Sequence, residues 1–171
     1  MKRYVRVALA GLVGAVLSVG ATRNALAQGL VKDLIVGTWA PISVENVNKD
    51  GSRRQEFGPN PKGIYIFEPN GYYVVVLSRP DVPKYASNDR LMGTAEEYAA
   101  AAQGVLAFFG TYTVSEADRI IALHVDGSSY PNISGADRKF TITKLTGDEL
   151  DYSILTPTAG AAAYVVLKRA R

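Results

Sequence analysis

From residue 35 onward the chain alternates apolar and polar residues over short runs, and Gly, Pro, Asn and Asp break one run from the next. A period of two is the mark of strands with one face buried. This pattern predicts strands over 35–46, 52–57, 64–68, 72–78, 108–115, 120–127, 138–145, 150–155 and 161–169, nine or ten in all. Turn chemistry joins them. Asn48-Lys49-Asp50-Gly51 and Pro69-Asn70-Gly71 each carry a Gly where a tight turn needs positive φ. Thr146-Gly147-Asp148 closes a third hairpin. Two Pro and a Gly between Gly58 and Lys62 exclude a strand interior there. The polar stretch 79–92 reads as an ordered loop.

One segment breaks the pattern. Thr94-Ala95-Glu96-Glu97 is a capping box, in which the Thr94 side chain accepts from the Glu97 N–H and Glu97 reaches back to Thr94. The Ala-rich run behind it predicts a short helix to Ala102 or Gln103, ended by Gly104. Ala95, Tyr98, Ala99 and Ala102 share one face at i, i+3, i+4, i+7 spacing, and the expectation is that this face covers a barrel mouth as a lid or, better, as a plug.

Short strands with tight turns pair sequentially and antiparallel. The expected fold is therefore all-β, an up-and-down barrel of 8–10 strands with one short helix, whose closure removes the sheet edges. A two-sheet sandwich is the alternative. It needs long crossovers, and nearly every connection here is short.

The first residues alter the charge argument. Lys2, Arg3 and Arg6 precede an apolar run over 7–19, and Ala25-Leu26-Ala27 offers a small-x-small cleavage pattern. The reading is a signal peptide over 1–27, cut between Ala27 and Gln28, with the domain over 28–171 and a periplasmic or secreted product. An apolar run this short does not span a bilayer, which takes about 20 residues, so no membrane span is expected in the mature chain. The whole chain carries 19 Lys+Arg against 16 Asp+Glu, but four of those cations lie before residue 28, leaving 15 against 16 beyond it. The basic balance belongs to the leader, and a nucleic-acid partner loses its electrostatic basis. The chain has no Cys, which is compatible with an oxidising compartment.

The segment 57–114 carries a resemblance. FGPNPKG at 57–63, PNGY at 69–72, RPD at 79–81, GTAEEY at 93–98 and GTYT at 110–113 are similar to the lipocalin-like domain, a small bacterial and fungal family. The likeness extends over about 34–169. It implies a lipocalin-like barrel and no catalytic motif. Gly37-Thr38-Trp39 resembles the Gly-x-Trp pattern on the first strand of lipocalins, where the Trp plugs one barrel end under an Arg from the last strand. Arg169 is the matching Arg, giving Trp39 and Arg169 a structural role.

Candidate chemistry is sparse. His124 is the single His, so a multi-His metal site is excluded and no cofactor is expected. Nine Tyr follow residue 27, and a Tyr offers an apolar face with a polar tip suited to an aromatic or amphipathic ligand. The candidate ligand-binding residues are Arg79, Tyr98, Tyr112, His124 and Tyr130, Arg79 serving an acidic group of the ligand or pairing instead with Asp81 or Asp89. The leading reading is an exported barrel that binds a small, mainly apolar or aromatic molecule. One alternative is a cofactor-free isomerase or cyclase using His124 and Tyr112 as acid and base. The other is a structural or stress-response barrel with a filled lumen. Ligand identity and oligomeric state are left open.

Overall fold

The computed structural model describes residues 30–171. The expected export segment and its cleavage point lie outside the described residues. Nine strands follow in chain order: β1 (Gly37–Val47), β2 (Arg53–Gln55), β3 (Lys62–Phe67), β4 (Tyr72–Ser78), β5 (Val105–Ser115), β6 (Ile120–Ser128), β7 (Asp137–Leu145), β8 (Glu149–Ile154) and β9 (Ala162–Arg169). A single-turn helix α1 (Val31–Ile35) precedes them, α2 (Ala95–Gly104) joins β4 to β5, and a 3-10 turn (Pro131–Ile133) follows β6.

The strand order is β2-β1-β3-β4-β5-β6-β7-β8-β9, every adjacent pair antiparallel, and β9 returns to pair with β1. The sheet is thus an up-and-down barrel closed by β1 and β3–β9, with β2 a three-residue flap hydrogen-bonded to the upper half of β1. Closure leaves the cylinder without free edges. Two turns behave as their residues dictate: Gly51 (φ 83°) and Gly71 (φ 90°) both take positive φ, and the Gly51 N–H donates to Asn48 O at 3.0 Å.

Alternation decides what faces in. Trp39, Tyr65, Phe67, Val75, Ile121, Val125, Phe140, Leu150, Tyr152 and Leu167 are all at most 2% exposed and fill the barrel. Aromatic contacts tie nearby strands together inside the barrel. Phe140 stacks on Tyr152 with ring centroids 4.6 Å apart, and Phe67 meets Tyr112 edge-on at 5.3 Å. Where two strands approach too closely for a side chain, Gly is required. Gly110 lies at a β-bulge between β5 and β6, and a Cβ there would collide with the His124 carbonyl oxygen.

Three expectations shift. β1 starts at Gly37 rather than residue 35, because Ile35 belongs to α1. β2 is shorter than the 52–57 expected, since Phe57 leaves the ladder and turns inward to 3% exposure. The helix face is also one register off. Ala95, Tyr98, Ala99 and Ala102 are exposed, whereas Glu97, Ala100, Ala101 and Gly104 form the more buried side. An Ala-rich helix has little apolar contrast between its faces, so its tethers set the rotation. The Glu97 carboxylate accepts from both Thr94 N–H (2.8 Å) and Ala86 N–H (2.7 Å), which holds it against the 79–94 loop. The helix does not plug the barrel.

Candidate functional site

The two barrel ends differ. One end carries Gly37, Phe67, Tyr72, Ser115, Leu145 and Arg169 and is sealed. Trp39 is fully buried there and the Arg169 guanidinium lies over its ring, 4.1 Å from the centroid. The same guanidinium donates to Leu34 O (2.6 Å), Val36 O (3.0 Å) and Gly147 O, while Trp39 Nε1 donates to Ile35 O at 2.8 Å. These donors satisfy the carbonyls left open at the C-terminus of α1. The N-terminus of α1 is held by Glu116, whose carboxylate accepts from Val31 and Lys32 N–H at 2.8 and 2.9 Å. Gly37 sits at φ 124°, a backbone conformation that side chains rarely adopt, and a Cβ there would displace Arg169 Nη1. Tyr112 belongs to this end as well: its hydroxyl donates to Glu68 O at 2.8 Å, in the β3–β4 turn.

The other end is open. A cleft of about 350 Å³ is bounded by Arg54, Phe57, Arg79, Leu106 and Tyr130, with Ala102 and Gln103 of α2 at its rim and Thr158 and Ala159 of the β8–β9 loop opposite. Below it lies a void of about 50 Å³ walled by Val44, Tyr65, Leu77, Phe108, Ile133, Phe140, Tyr152 and Val165. Glu56, Phe57, Leu106 and Thr158 line both spaces, so the cleft and the void adjoin. The cleft falls in the size range of small-molecule sites, roughly 300–1,000 Å³. The void alone holds a water or a small group. A groove of about 400 Å³ between Arg54, Pro59, Arg79 and Asp81 is bounded by polar strand and loop residues and does not reach the core.

A few polar groups face these two spaces. Asn46 is 3% exposed and its amide donates to the Glu56 carboxylate, which also pairs with Arg54 at 2.8 Å. Arg138 enters from β7 on the side of Phe140 and Ile142, opposite Leu123 of β6. Its Nη2 donates to Thr156 O at 2.7 Å. Burial pushes the Tyr65 and Tyr152 hydroxyls well above the ordinary phenol range, so both are neutral donors near pH 7.

The candidate residues named from sequence separate into four places. Arg79 and Tyr130 line the mouth cleft together. Arg79 is already held by Asp81 through two bonds, Nε–Oδ1 at 2.9 Å and Nη2–Oδ2 at 2.8 Å, which raises its pKa and lowers that of Asp81. Tyr98 is not in the cleft. Its hydroxyl accepts from Gly93 N–H at 2.9 Å and its ring meets Tyr85 edge-on, so it orders the 79–94 loop. Tyr112 closes the sealed end. His124 lies on the outer wall, its side chain half exposed, with Nδ1 2.8 Å from Asp137 Oδ1 and Nε2 3.8 Å from Asp126 Oδ1. The hydrogen bond that His124 Nδ1–H donates to the Asp137 carboxylate raises the His124 pKa above its usual value.

His124 and Tyr112 therefore point to opposite faces of the sheet, because they occupy adjacent strands in pairs that differ by one residue: Tyr112 faces Leu123, and His124 faces Thr111. An acid–base pair cannot form between them. Among the described residues no group of three or more His, Cys, Asp or Glu is placed to hold a metal ion, and no helix is long and apolar enough to cross a membrane. Asn46, Phe57 and Arg138 are the site residues that sequence reading missed. Arg138 had a signal, since it lies in phase with Phe140 and Ile142 on the apolar side of its strand.

Comparison with known proteins places this geometry. A curated relative from Aspergillus oryzae, named 4'-hydroxy-3'-methoxypropiophenone carrier protein, is 33% identical over 87 residues, covering 47% of this chain and 78% of the relative. Among solved structures, a lipocalin-like protein from Bacteroides uniformis aligns at 14% identity and a TM-score of 0.46, covering 80% of this chain and 99% of the other. A redesigned β-barrel aligns at 17% identity and a TM-score of 0.44, covering 83% and 96%. The model of the lipocalin-like domain matches residues 36–164, which is most of the described barrel. This chain belongs to the lipocalin-like domain family.

Proposed function

We propose that this protein is an exported carrier that binds one small, mainly apolar, aromatic-sized molecule at the open end of its barrel. The observation that supports this most is a cleft of about 350 Å³ at the barrel mouth that adjoins an aromatic-walled void. The ligand body lies in the cleft against Phe57, Leu106 and Tyr130, and one end of it enters the void. Binding is driven by apolar burial, at about 25 cal/mol per Å² removed from water. The relative named as carrier of an aromatic ketone supports the same ligand class. The placement of His124 outside and Tyr112 at the sealed end argues against the isomerase or cyclase alternative.

Native mass spectrometry of freshly purified protein tests the reading. The expected result is a mass excess of a small molecule that is lost on collisional activation. Protein that stays at its bare mass, and binds no member of a panel of aromatic fluorophores, overturns it. Export is tested separately: N-terminal sequencing of the secreted product should begin at Gln28, and recovery of intact Met1 on a membrane-bound form refutes cleavage.

A further inference from the structure

Arg138 is out of place in an apolar barrel. It projects inward from β7, is half-buried, and lines the lumen void. A guanidinium carries five N–H donors and keeps its charge in proteins. Here its one hydrogen bond is to the Thr156 carbonyl at 2.7 Å, and among the described residues it joins no ion pair. The two other Arg near the mouth are both matched, Arg54 by Glu56 and Arg79 by Asp81. Glu56 also faces the void, but its carboxylate is taken by Arg54 and by the Asn46 amide. The remaining polar neighbours are the hydroxyls of Tyr73 and Tyr152, which are neutral near pH 7 and offer no anion. A cation removed from water without an anionic partner destabilises a fold. Burial accordingly pushes the Arg138 pKa down. The missing partner is an anion of the right size to enter a void of about 50 Å³, a space that fits a carboxylate and excludes a ring.

We propose that Arg138 anchors the ligand's acidic group: the cargo is an amphipathic acid whose carboxylate enters the lumen and takes the guanidinium, while its apolar body fills the mouth. This rests on the carrier reading above and adds the ligand's chemical class and its orientation, head inward. Arg–carboxylate pairs are charge-assisted and bidentate, so the anchor selects for planar two-oxygen anions. The Tyr152 hydroxyl supplies a neutral donor beside it.

The test uses two isosteric probes, 2-naphthoate and 2-naphthamide, titrated calorimetrically into the mature protein at neutral pH. Wild type should prefer the carboxylate by at least about tenfold, as expected for a charge-assisted pair over a neutral one. Arg138→Gln should abolish that preference and hold naphthamide within about threefold of wild type, because only the charged pair is lost. Arg138→Lys should keep part of the preference, having the charge but not the fork. Without ligand, Arg138→Gln should melt no lower than wild type, since it removes an unpaired half-buried charge. If that variant does not fold, ¹⁵N spectra of wild type decide: the Arg138 Nε signal should shift with naphthoate and stay with naphthamide. Equal affinity for both probes, or a preference that survives Arg138→Gln and disappears in Arg79→Gln, overturns the anchor and leaves the carrier reading standing. Failure of both probes to bind wild type removes the lumen site and the anchor together.

Discussion

At the residue scale, the barrel's sealed end is organised by one pair. Trp39 supplies area and Arg169 covers its face at 4.1 Å while donating to backbone carbonyls of residues 34, 36 and 147. The cation–π contact alone contributes about 0.5–2 kcal/mol, and the burial contributes more. Trp39→Ala is expected to destabilise by about 3–5 kcal/mol in urea unfolding, as large aromatic truncations do. A loss below about 1 kcal/mol would mark Trp39 as peripheral. His124 makes the opposite case, a conspicuous residue placed where it serves the surface. Its folded pKa is raised by Asp137, so the contribution of this pair to stability is fully present below about 6.5 and is lost as pH rises through the raised value. As the single His it gives one resonance to follow. Asp137→Asn should bring its titration back down toward the ordinary value. His124→Gln should change ligand affinity by less than about threefold, because the side chain is outside the lumen and at most one neutral hydrogen bond is at stake. A larger effect would relocate the site to the outer wall.

At the element scale, the two helices show different origins of order. α2 carries its own start signal. The capping box reads in the sequence, and both of its bonds form, Glu97 N–H to Thr94 Oγ1 at 3.2 Å and Thr94 N–H to Glu97 Oε2 at 2.8 Å. Thr94→Ala should therefore cost about 1 kcal/mol in stability, measured by denaturant unfolding. The protease sensitivity it creates should be confined to the 79–104 segment. A destabilisation spread evenly over the barrel, read by amide exchange, would show that α2 is integral to the core. α1 has no such signal. Five residues are too few to form a helix alone, and α1 exists because Glu116, Arg169 and Trp39 hold its two ends from other elements. Nothing local in Val31–Ile35 could reveal that.

At the scale of the whole molecule, closure of β9 on β1 makes the two ends inequivalent, one capped by α1 and the other open beneath α2 and the β8–β9 loop. Trp39, the single Trp of the chain, lies at the capped end, away from the cleft. Its emission is expected to be blue-shifted, as for a ring removed from water, and to stay unchanged when a non-absorbing apolar ligand binds at the mouth. Tyr130 faces that cleft and should lose accessibility to a collisional quencher on binding, as read in Trp39→Phe protein. A spectral shift of Trp39 on binding would mean that the ligand reaches the closed end, with the cleft only an entrance.

What the sequence determined by itself was the local grammar and its sum. Period-two alternation, the Asp50-Gly51 and Asn70-Gly71 turns and the capping box at Thr94 are decided by neighbours along the chain, and sequential short connections leave an antiparallel meander as the simple outcome. The resemblance of Gly37-Thr38-Trp39 to the lipocalin pattern then pointed to the end that is sealed. The tertiary structure alone decided phase and convergence. A strand's alternation shows that two faces differ, yet which face is the lumen at His124 depends on its pairing with Thr111 and Asp137. The rotation of an Ala-rich helix depends on a carboxylate tied to Ala86, eleven residues away. The meeting of Asn46, Phe57, Arg138 and Tyr152 around one void requires three strands and a turn to close first. Contacts of that kind are made between elements distant along the chain, and no window of neighbouring residues contains them.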